Sequence, residues 1–233
     1  MEFWLYNGKL ISLSFIKNQF NSRGKLMEQF IFHSELKNKL EFIIEKSHKL
    51  GGVLCFHGLP GCGKTTFSEY YAHKIAQEVS IFDANSHLFD RTSAANILNT
   101  IKETGNIVLD EDADNNFNSS DKKAWDRCFI IDEFHNLSEK RQDAYKVSLE
   151  KVSKELNALF ILIVNTTKER PLNKTLTSAI LSRCQAIDFD IKKHHYDEVI
   201  YLIRRKYPML DEQYIKQTLP DLRQVMKRAK LLS

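Results

Sequence analysis

The sequence predicts an α/β fold: a parallel sheet covered by helices on both faces, followed by a small helical domain. Short apolar runs typical of buried strands alternate with helical patterns through residues 53–189. A glycine-rich loop joins the first of these runs to a helix, and only helical patterns follow Asp190. We therefore divide the chain into an N-terminal arm (1–28), an α/β core (29–190) and a helical domain (191–233).

The elements are predicted in chain order from apolar spacing and from the residues that begin and end helices. The arm shows no clear period. Ser34 can cap a first helix, which Gly51 and Gly52 end. Its apolar positions repeat every three or four residues: Leu36, Leu40, Ile43 and Ile44. The predicted strands are 53–56, 80–83, 129–132, 159–164 and 185–189, and the later helices are 64–78, 93–103, 138–156, 194–206, 211–217 and 221–231.

The composition is that of a folded protein of the cytoplasm. Hydrophobic residues make up 42% and charged residues 27%, which argues against a disordered chain. The N-terminal segment has charged residues where a signal peptide needs an apolar core, and no run is long enough to span a membrane. The cysteines form no CxxC pair, so neither a zinc site nor a redox pair is indicated.

Charge is distributed unevenly along the chain. Residues 110–121 hold five acids and no base, which predicts an exposed loop. A carboxylate metal loop is the alternative there, but the glycine and terminal Glu of an EF-hand are missing. Residues 191–233 hold ten Lys/Arg against five Asp/Glu, a bias that suits a polyanionic partner.

Residues 58–65, GLPGCGKT, fit the phosphate-loop pattern GxxxxGK[ST], and they lie between a predicted strand and a helix, as the motif requires. Glycines let backbone N–H groups turn towards phosphates, and the helix adds its positive dipole end. Lys64 is expected to reach the β- and γ-phosphates, and Thr65 to bind Mg²⁺. A glycine-rich turn with a chance lysine is the alternative. The predicted nucleotide contacts are Gly58, Pro60, Gly61, Cys62, Gly63, Lys64, Thr65 and Thr66.

Two later strands end in polar residues that suit phosphate chemistry. The run 129–133, FIIDE, places Asp132 and Glu133 at a strand end, which faces the same crevice as the phosphate loop in a parallel sheet. We expect Asp132 to hold Mg²⁺ and Glu133 to act as general base towards water. Asn165, after strand 159–164, is expected to orient that water. An ordinary turn carboxylate would be the alternative for a lone Asp-Glu pair.

The order of these motifs, followed by Ser182-Arg183-Cys184, resembles the AAA+ clamp-loader ATPases: replication factor C small subunits, bacterial tau/gamma subunits and phage equivalents. The resemblance implies that Arg183 acts in trans on a neighbouring subunit's ATP. Residues 142–150 resemble the family's QxALRRxxE helix, with Lys146 at its first arginine. Residues 220–223 resemble the lid helix, so that Arg223 would touch the γ-phosphate in its own subunit. The alternatives are a local ion pair for Arg183 and a solvated side chain for Arg223.

The resemblance implies an ATP-hydrolysing subunit that, with other clamp-loader subunits, opens a sliding clamp and loads it on primer–template DNA. ATP and Mg²⁺ are the implied ligands, and the candidates for DNA contact are Arg91, Thr92, Ser93 and Lys146. The chain departs from the family in having no Lys-Tyr-Arg-Pro near its start and a longer spacing before Ser182. It is also expected to lack a collar domain after the lid.

Three other functions share some of these motifs. Another DNA-associated AAA+ ATPase, such as a helicase loader or a transposition regulator, would share the phosphate loop and Asp-Glu but not Ser-Arg-Cys. A P-loop kinase for small molecules would need an acceptor pocket with its own arginines. A non-hydrolysing structural subunit is disfavoured, because Lys64, Thr65, Asp132 and Glu133 are all present.

Overall fold

The computed structural model describes residues 3–6, 9–12, 30–86 and 123–232. The chain forms two compact units, Met1–Phe32 and His33–Ser233. Some of the predicted features fall outside the described residues: the helix 93–103, the acidic segment 110–121 and the candidate DNA contacts Arg91, Thr92 and Ser93.

The first unit contains a two-stranded antiparallel sheet. Strand β1 (Phe3–Tyr6) pairs with β2 (Lys9–Ser12), and Phe3 lies opposite Ser12. At the end of this unit the Phe30 and Phe32 rings stack with centroids 5.3 Å apart. The hairpin was not predicted, because the apolar residues of the arm show no clear period.

The second unit is built on a five-stranded sheet in the order β4-β5-β6-β3-β7, and every pair in it is parallel. The predicted parallel sheet is therefore confirmed. The strands are β3 (Val53–Gly58), β4 (Ala76–Asp83), β5 (Trp125–Asp132), β6 (Ala158–Asn165) and β7 (Gln185–Asp188). Gly58 pairs with Asn165 and Asp83 with Asp132, so the carboxyl ends of four strands lie along one edge.

Helices cover both faces of this sheet. The helices are α1 (Ser34–Glu45), α2 (Lys64–Ile75), α3 (Glu139–Glu155), α4 (Leu172–Thr175), α5 (Ser178–Leu181), α6 (Tyr196–Lys206), α7 (Glu212–Thr218) and α8 (Leu222–Leu232). On one face, Cys55 and Phe160 pack with Leu149 of α3. On the other face, Phe56 packs against Phe67 and Tyr71 of α2. Alternate residues of β3 thus face opposite layers, as strand geometry requires.

Several predicted boundaries are wrong. The first helix is capped by His33 instead of Ser34 and ends at Glu45, and the predicted strand 80–83 begins at Ala76. The predicted helix 64–78 ends at Ile75, because the backbone turns extended at Ala76 and β4 pairs with β5 from that residue. Strand β5 begins at Trp125 rather than at residue 129. Its polar Arg127 is accommodated by an ion pair with Glu78 of β4, 3.0 Å between Nε and Oε2.

Helices α6, α7 and α8 follow β7, as the apolar periods predict. At the start of α6, the His195 ring stacks on His33 with centroids 3.5 Å apart. The Ser34 N–H donates to Glu198 Oε1 at 2.8 Å, which ties α1 to α6. The domain boundary at residue 190 stays a prediction. In the described part of the chain, the helices are too short or too polar to cross a bilayer.

Candidate active site

The phosphate loop between β3 and α2 adopts a conformation that its glycines permit. Gly58, Gly61 and Gly63 have φ of 144°, 82° and 92°, values that other residues rarely adopt. Space is also limiting, since a Cβ on Gly58 would lie 2.9 Å from Asp190 Oδ1, and one on Gly61 would clash with the Asp221 carboxylate. The loop is held from outside by Asp190, whose Oδ1 accepts the Leu59 N–H at 2.6 Å.

Lys64 is the first residue of α2, and its side chain turns back into the loop. Nζ donates to the carbonyl oxygens of Gly58 and Leu59, at 2.8 Å each. The side chain is 5% exposed. A buried ammonium at a helix N-terminus provides a strong positive site for phosphate oxygens.

Thr65 and Asp132 face each other across the crevice. The Thr65 hydroxyl donates to Asp132 Oδ2 at 3.1 Å, and Asp132 Oδ1 accepts the Glu133 N–H at 2.8 Å. A hydroxyl and a carboxylate are the hard oxygen ligands that Mg²⁺ prefers, beside phosphate oxygens and water. The pair therefore fits the predicted magnesium site.

Glu133 begins the turn after β5 with φ of 55°, in the left-handed region. The Asn165 amide at the end of β6 donates to both of its carboxylate oxygens at 3.1 Å. Burial, and then the charge of Asp132, raise the pKa of Glu133, while the Asn165 hydrogen bond lowers it. The two predicted catalytic side chains on neighbouring strands are thus in direct contact.

His135 also contacts Glu133, and the sequence did not predict this contact. Its Nε2 lies 3.2 Å from Glu133 Oε2, and its Nδ1 accepts the Asn165 N–H at 3.3 Å. Burial lowers the pKa of His135, and the charges of Arg170 and Lys64 act in the same direction. The sequence indicated this contact only through the position of His135 two residues after Glu133, and a single histidine in a turn can have many roles.

The remaining predicted loop residues have ordinary environments. Cys62 is buried, which raises the pKa of its thiol. Pro60 and Thr66 are exposed beside the crevice. Arg223 is in the first turn of α8, and its side chain is exposed. Its Cβ lies 3.5 Å from the position that a Cβ on Gly61 would take, so Arg223 lies beside the phosphate loop.

Arg183 does not lie with these residues. Its Nη1 donates to Ala179 O at 2.9 Å and to Ser182 Oγ at 3.1 Å, and its Nε lies 3.1 Å from Glu150 Oε1 of α3. The local ion pair that we considered as the alternative is therefore present within the chain. Gln142 of α3 is buried and fastens the segment before Arg183, bonding Thr175 O at 3.2 Å and the Thr177 N–H at 3.0 Å.

A second group of possible metal ligands, His33, Glu35 and His195, lies between α1 and α6. Its geometry does not suit one ion. The two imidazole planes are inclined by only 13°, so their in-plane lone pairs run side by side instead of converging. The His33 Nδ1 also accepts the Leu36 N–H at 3.4 Å, which makes His33 the cap of α1.

The family model for AAA, "ATPase family associated with various cellular activities", matches residues 54–192. This range is more than half of the 233 residues and contains the whole crevice apart from Arg223. The chain belongs to the AAA family. ATP is therefore the nucleotide of the site, and the predicted ATPase is confirmed at the level of the family.

Individual relatives match only part of the chain. The RuvB subunit of the Holliday junction branch migration complex from Mycoplasmopsis synoviae is 33% identical over 93 residues, 39% of this chain and 29% of the relative. The chain thus covers under a third of that curated protein.

Solved structures at lower identity share the fold. DnaA bound to AMPPCP and single-stranded DNA gives a TM-score of 0.58 at 16% identity, covering 91% of this chain and 66% of that one. A Thermotoga maritima RuvB mutant gives 0.51 at 18%, covering 83% and 58%. PCH-2 from C. elegans gives 0.52 at 18%, covering 79% and 50%.

Proposed function

We propose that the protein is an ATP-hydrolysing subunit of a multi-chain machine that acts on DNA, and that its task is to open a sliding clamp and load it on primer–template DNA. The observation that carries the proposal is the Ser182-Arg183-Cys184 motif, with Arg183 placed away from the crevice of its own chain. RuvB, a subunit of a branch migration complex, and DnaA, a replication initiator, support the coarser part of the proposal.

Within one chain, the crevice supplies positioning and charge. Lys64 binds the β- and γ-phosphates, and Arg223 approaches the γ-phosphate from α8. Glu133 accepts a proton from the attacking water, with Asn165 fixing its carboxylate. Mg²⁺, held by Thr65 and Asp132, would neutralise charge that develops on the phosphate oxygens.

We propose that Arg183 contacts the ATP of a neighbouring chain, because it lies near the opposite end of the sheet from the phosphate loop of its own chain. The strand that follows it, β7, begins at Gln185, which pairs with Leu54 near the start of β3. The phosphate loop begins at the other end of β3, at Gly58. The strand from Leu54 to Gly58 spans roughly 13 Å at about 3.3 Å per residue. That separation supports the proposal that Arg183 contacts the γ-phosphate of a neighbouring subunit's ATP.

DNA contact is proposed to be mainly electrostatic. The described candidate is Lys146, partly buried on α3. Binding of this kind depends on phosphates and is nearly independent of base sequence. The partners we propose are therefore other clamp-loader subunits, a sliding clamp and primer–template DNA.

A branch-migration motor is the second candidate, because a RuvB subunit is 33% identical over 93 residues. The two functions differ in the DNA that stimulates hydrolysis. We expect ATPase activity of the assembled protein to rise with a sliding clamp from the same organism plus primer–template, and not with a four-way junction.

The test measures ATP turnover with each DNA, with and without the clamp, at several salt concentrations. Stimulation by the four-way junction alone would favour branch migration. A strong preference for one duplex sequence would point to an initiator or a transposition regulator. Turnover that depends on a small-molecule phosphate acceptor would favour the kinase.

A further inference from the structure

Two hydrogen bonds and one further polar contact surround the carboxylate of Glu133, whereas the sequence assigned Asn165 only to the attacking water. The Asn165 amide reaches both oxygens at 3.1 Å. The His135 ring adds Nε2 at 3.2 Å from Oε2. Consequently Oε2 has two side-chain neighbours and Oε1 has one, so Oε1 retains more capacity to accept a proton.

The turn that carries His135 is anchored in the core. Phe134 is 0% exposed and packs edge-on against Tyr145 of α3, with centroids 5.9 Å apart. The Asn136 N–H donates to Glu133 O at 2.9 Å, which closes the turn. With the residue before it and the residue after it both held, His135 is directed back towards Glu133.

The contact of His135 with the Asn165 N–H determines which ring nitrogen carries the proton in a neutral imidazole. Nδ1 accepts the Asn165 N–H at 3.3 Å and so must carry a lone pair. A neutral imidazole then bears its proton on Nε2, the atom that faces Glu133. Burial, together with Arg170 and Lys64, lowers the pKa of His135, which favours the neutral ring. A neutral His135 consequently has its Nε2–H on the side that contacts Glu133 Oε2, and it accepts from the backbone of Asn165.

We propose that His135 is a positioning residue for ATP hydrolysis, and that its Nε2–H holds the Glu133 carboxylate with Oε1 turned to the attacking water. The inference rests on the proposed role of Glu133 as the base. The side chain of Glu133 is 36% exposed, so packing alone does not fix its rotamer. Small errors in the placement of a catalytic group are costly, since a shift of about 1 Å can lower a rate by about 100-fold.

Two substitutions separate the two contacts of His135. In His135→Gln the side-chain amide nitrogen replaces Nε2 and keeps the donor to Glu133. In His135→Asn the shorter amide places an oxygen near Nδ1 and keeps the acceptor for the Asn165 N–H. His135→Ala removes both. ATP turnover, KM for ATP and nucleotide affinity are measured for each, with the thermal midpoint as a check of folding.

We expect His135→Ala to lower kcat by at least about tenfold, the size expected when a polar contact that positions a charged group is lost. KM should change by less than about twofold, because the described polar contacts of His135 are to Glu133 and to the Asn165 backbone, and neither is a proposed phosphate contact. His135→Gln should restore most of kcat, and His135→Asn should not. The reverse order would assign His135 to the Asn165 backbone and overturn the proposal, as would wild-type turnover in all three variants.

A double variant tests the role of His135 separately from the role of Glu133 as general base. If His135 acts through Glu133, His135→Ala should cause no further loss in a Glu133→Gln protein. A further tenfold loss there would show that His135 acts independently of Glu133. If Glu133→Gln alone hydrolysed ATP at the wild-type rate, the base assignment itself would fail, whatever His135 does.

Discussion

The crevice at the carboxyl ends of the strands and the segment around Arg183 differ in how their charged groups are satisfied. In the crevice, Lys64, Thr65, Asp132, Glu133 and Asn165 bond to one another or to the loop backbone. Arg183 bonds instead to Ala179 and Ser182 beside it and pairs with Glu150, with its side chain 30% exposed.

This difference separates side chains that contact one another within one chain from a residue whose proposed partner is in another chain. The geometry of the crevice can be tested within one subunit. The role of Arg183 cannot, because its surroundings in the single chain are those of any surface arginine with a local ion pair. Variants that act within a subunit and variants that act between subunits therefore distinguish the two regions.

The most complete loss of activity is expected from Lys64→Ala in the crevice, because a chain that does not bind ATP cannot hydrolyse it. The variant loses a buried ammonium that the β- and γ-phosphates need, so nucleotide affinity should fall by at least about 100-fold. Binding of a fluorescent ATP analogue measures this. Lys74→Ala is the matched control, since Lys74 is an exposed lysine in the last turn of the same helix. Equal affinity in the two variants would contradict the phosphate role of Lys64.

Arg183→Ala is expected to lower turnover by about 10³- to 10⁵-fold while leaving ATP affinity intact, because an arginine finger acts on the transition state. Arg183→Lys should not rescue it, since an ammonium cannot bridge oxygens as the guanidinium fork does. Single-turnover hydrolysis and equilibrium binding separate the two quantities.

Mixing Arg183→Ala with Lys64→Ala protein decides whether the arginine acts in trans. Only a mixed interface joins an intact phosphate loop to an intact Arg183, so activity should partly return. The experiment belongs in the presence of partner subunits, clamp and primer–template DNA. Failure to complement in demonstrably mixed assemblies, with Arg183→Ala alone fully active, would leave Arg183 a local structural residue.

Glu133→Gln should have the next largest effect, a loss of about 10²- to 10⁴-fold in turnover, typical of removing a general base. Nucleotide should stay bound, since Lys64, Thr65 and Asp132 are untouched. Retention of radiolabelled ATP after rapid desalting measures this. Rapid release of ATP would indicate that Glu133 supports binding instead of the chemical step.

The sequence predicted the parts of the molecule that depend on local pattern. The phosphate loop was recognisable because its glycines, lysine and threonine must follow one another directly, and all lie where the pattern places them. Strands β3 and β6 were recognisable because they are buried on both faces and hence apolar at nearly every position.

Two of the missed features depend on contacts between distant residues, and the third, the N-terminal hairpin, does not. One of the two contacts of His135 is with the backbone of Asn165, which is 30 positions later in the chain, and local sequence does not bring these residues together. The start of β5 was hidden because Arg127 is polar, and its partner Glu78 is on another strand. The β1–β2 hairpin carried a local signal in the Asn7-Gly8 pair between two short apolar runs, which favours two-residue hairpin loops.

The smallest effect, and the sharpest distinction between the two regions, is expected from Glu150→Gln. Arg183 and Glu150 are partly exposed, 30% and 47%, so their ion pair should stabilise the fold by less than about 1 kcal/mol. If Glu150 only holds Arg183 within its own chain, the variant should change turnover in the assembly by less than about twofold. Urea unfolding and steady-state ATPase assays measure the two effects.

The matched control is Glu155→Gln on the same helix, whose Glu155 pairs with Lys151 at 3.7 Å in a comparably exposed position. Both variants should unfold at nearly the same urea concentration. If the local pair were the whole role of Arg183, Glu150→Gln would reproduce the loss seen in Arg183→Ala, because each removes one half of that pair. A large loss in Arg183→Ala with almost none in Glu150→Gln requires a second partner for the guanidinium, and within the proposed assembly that partner is a neighbour's ATP.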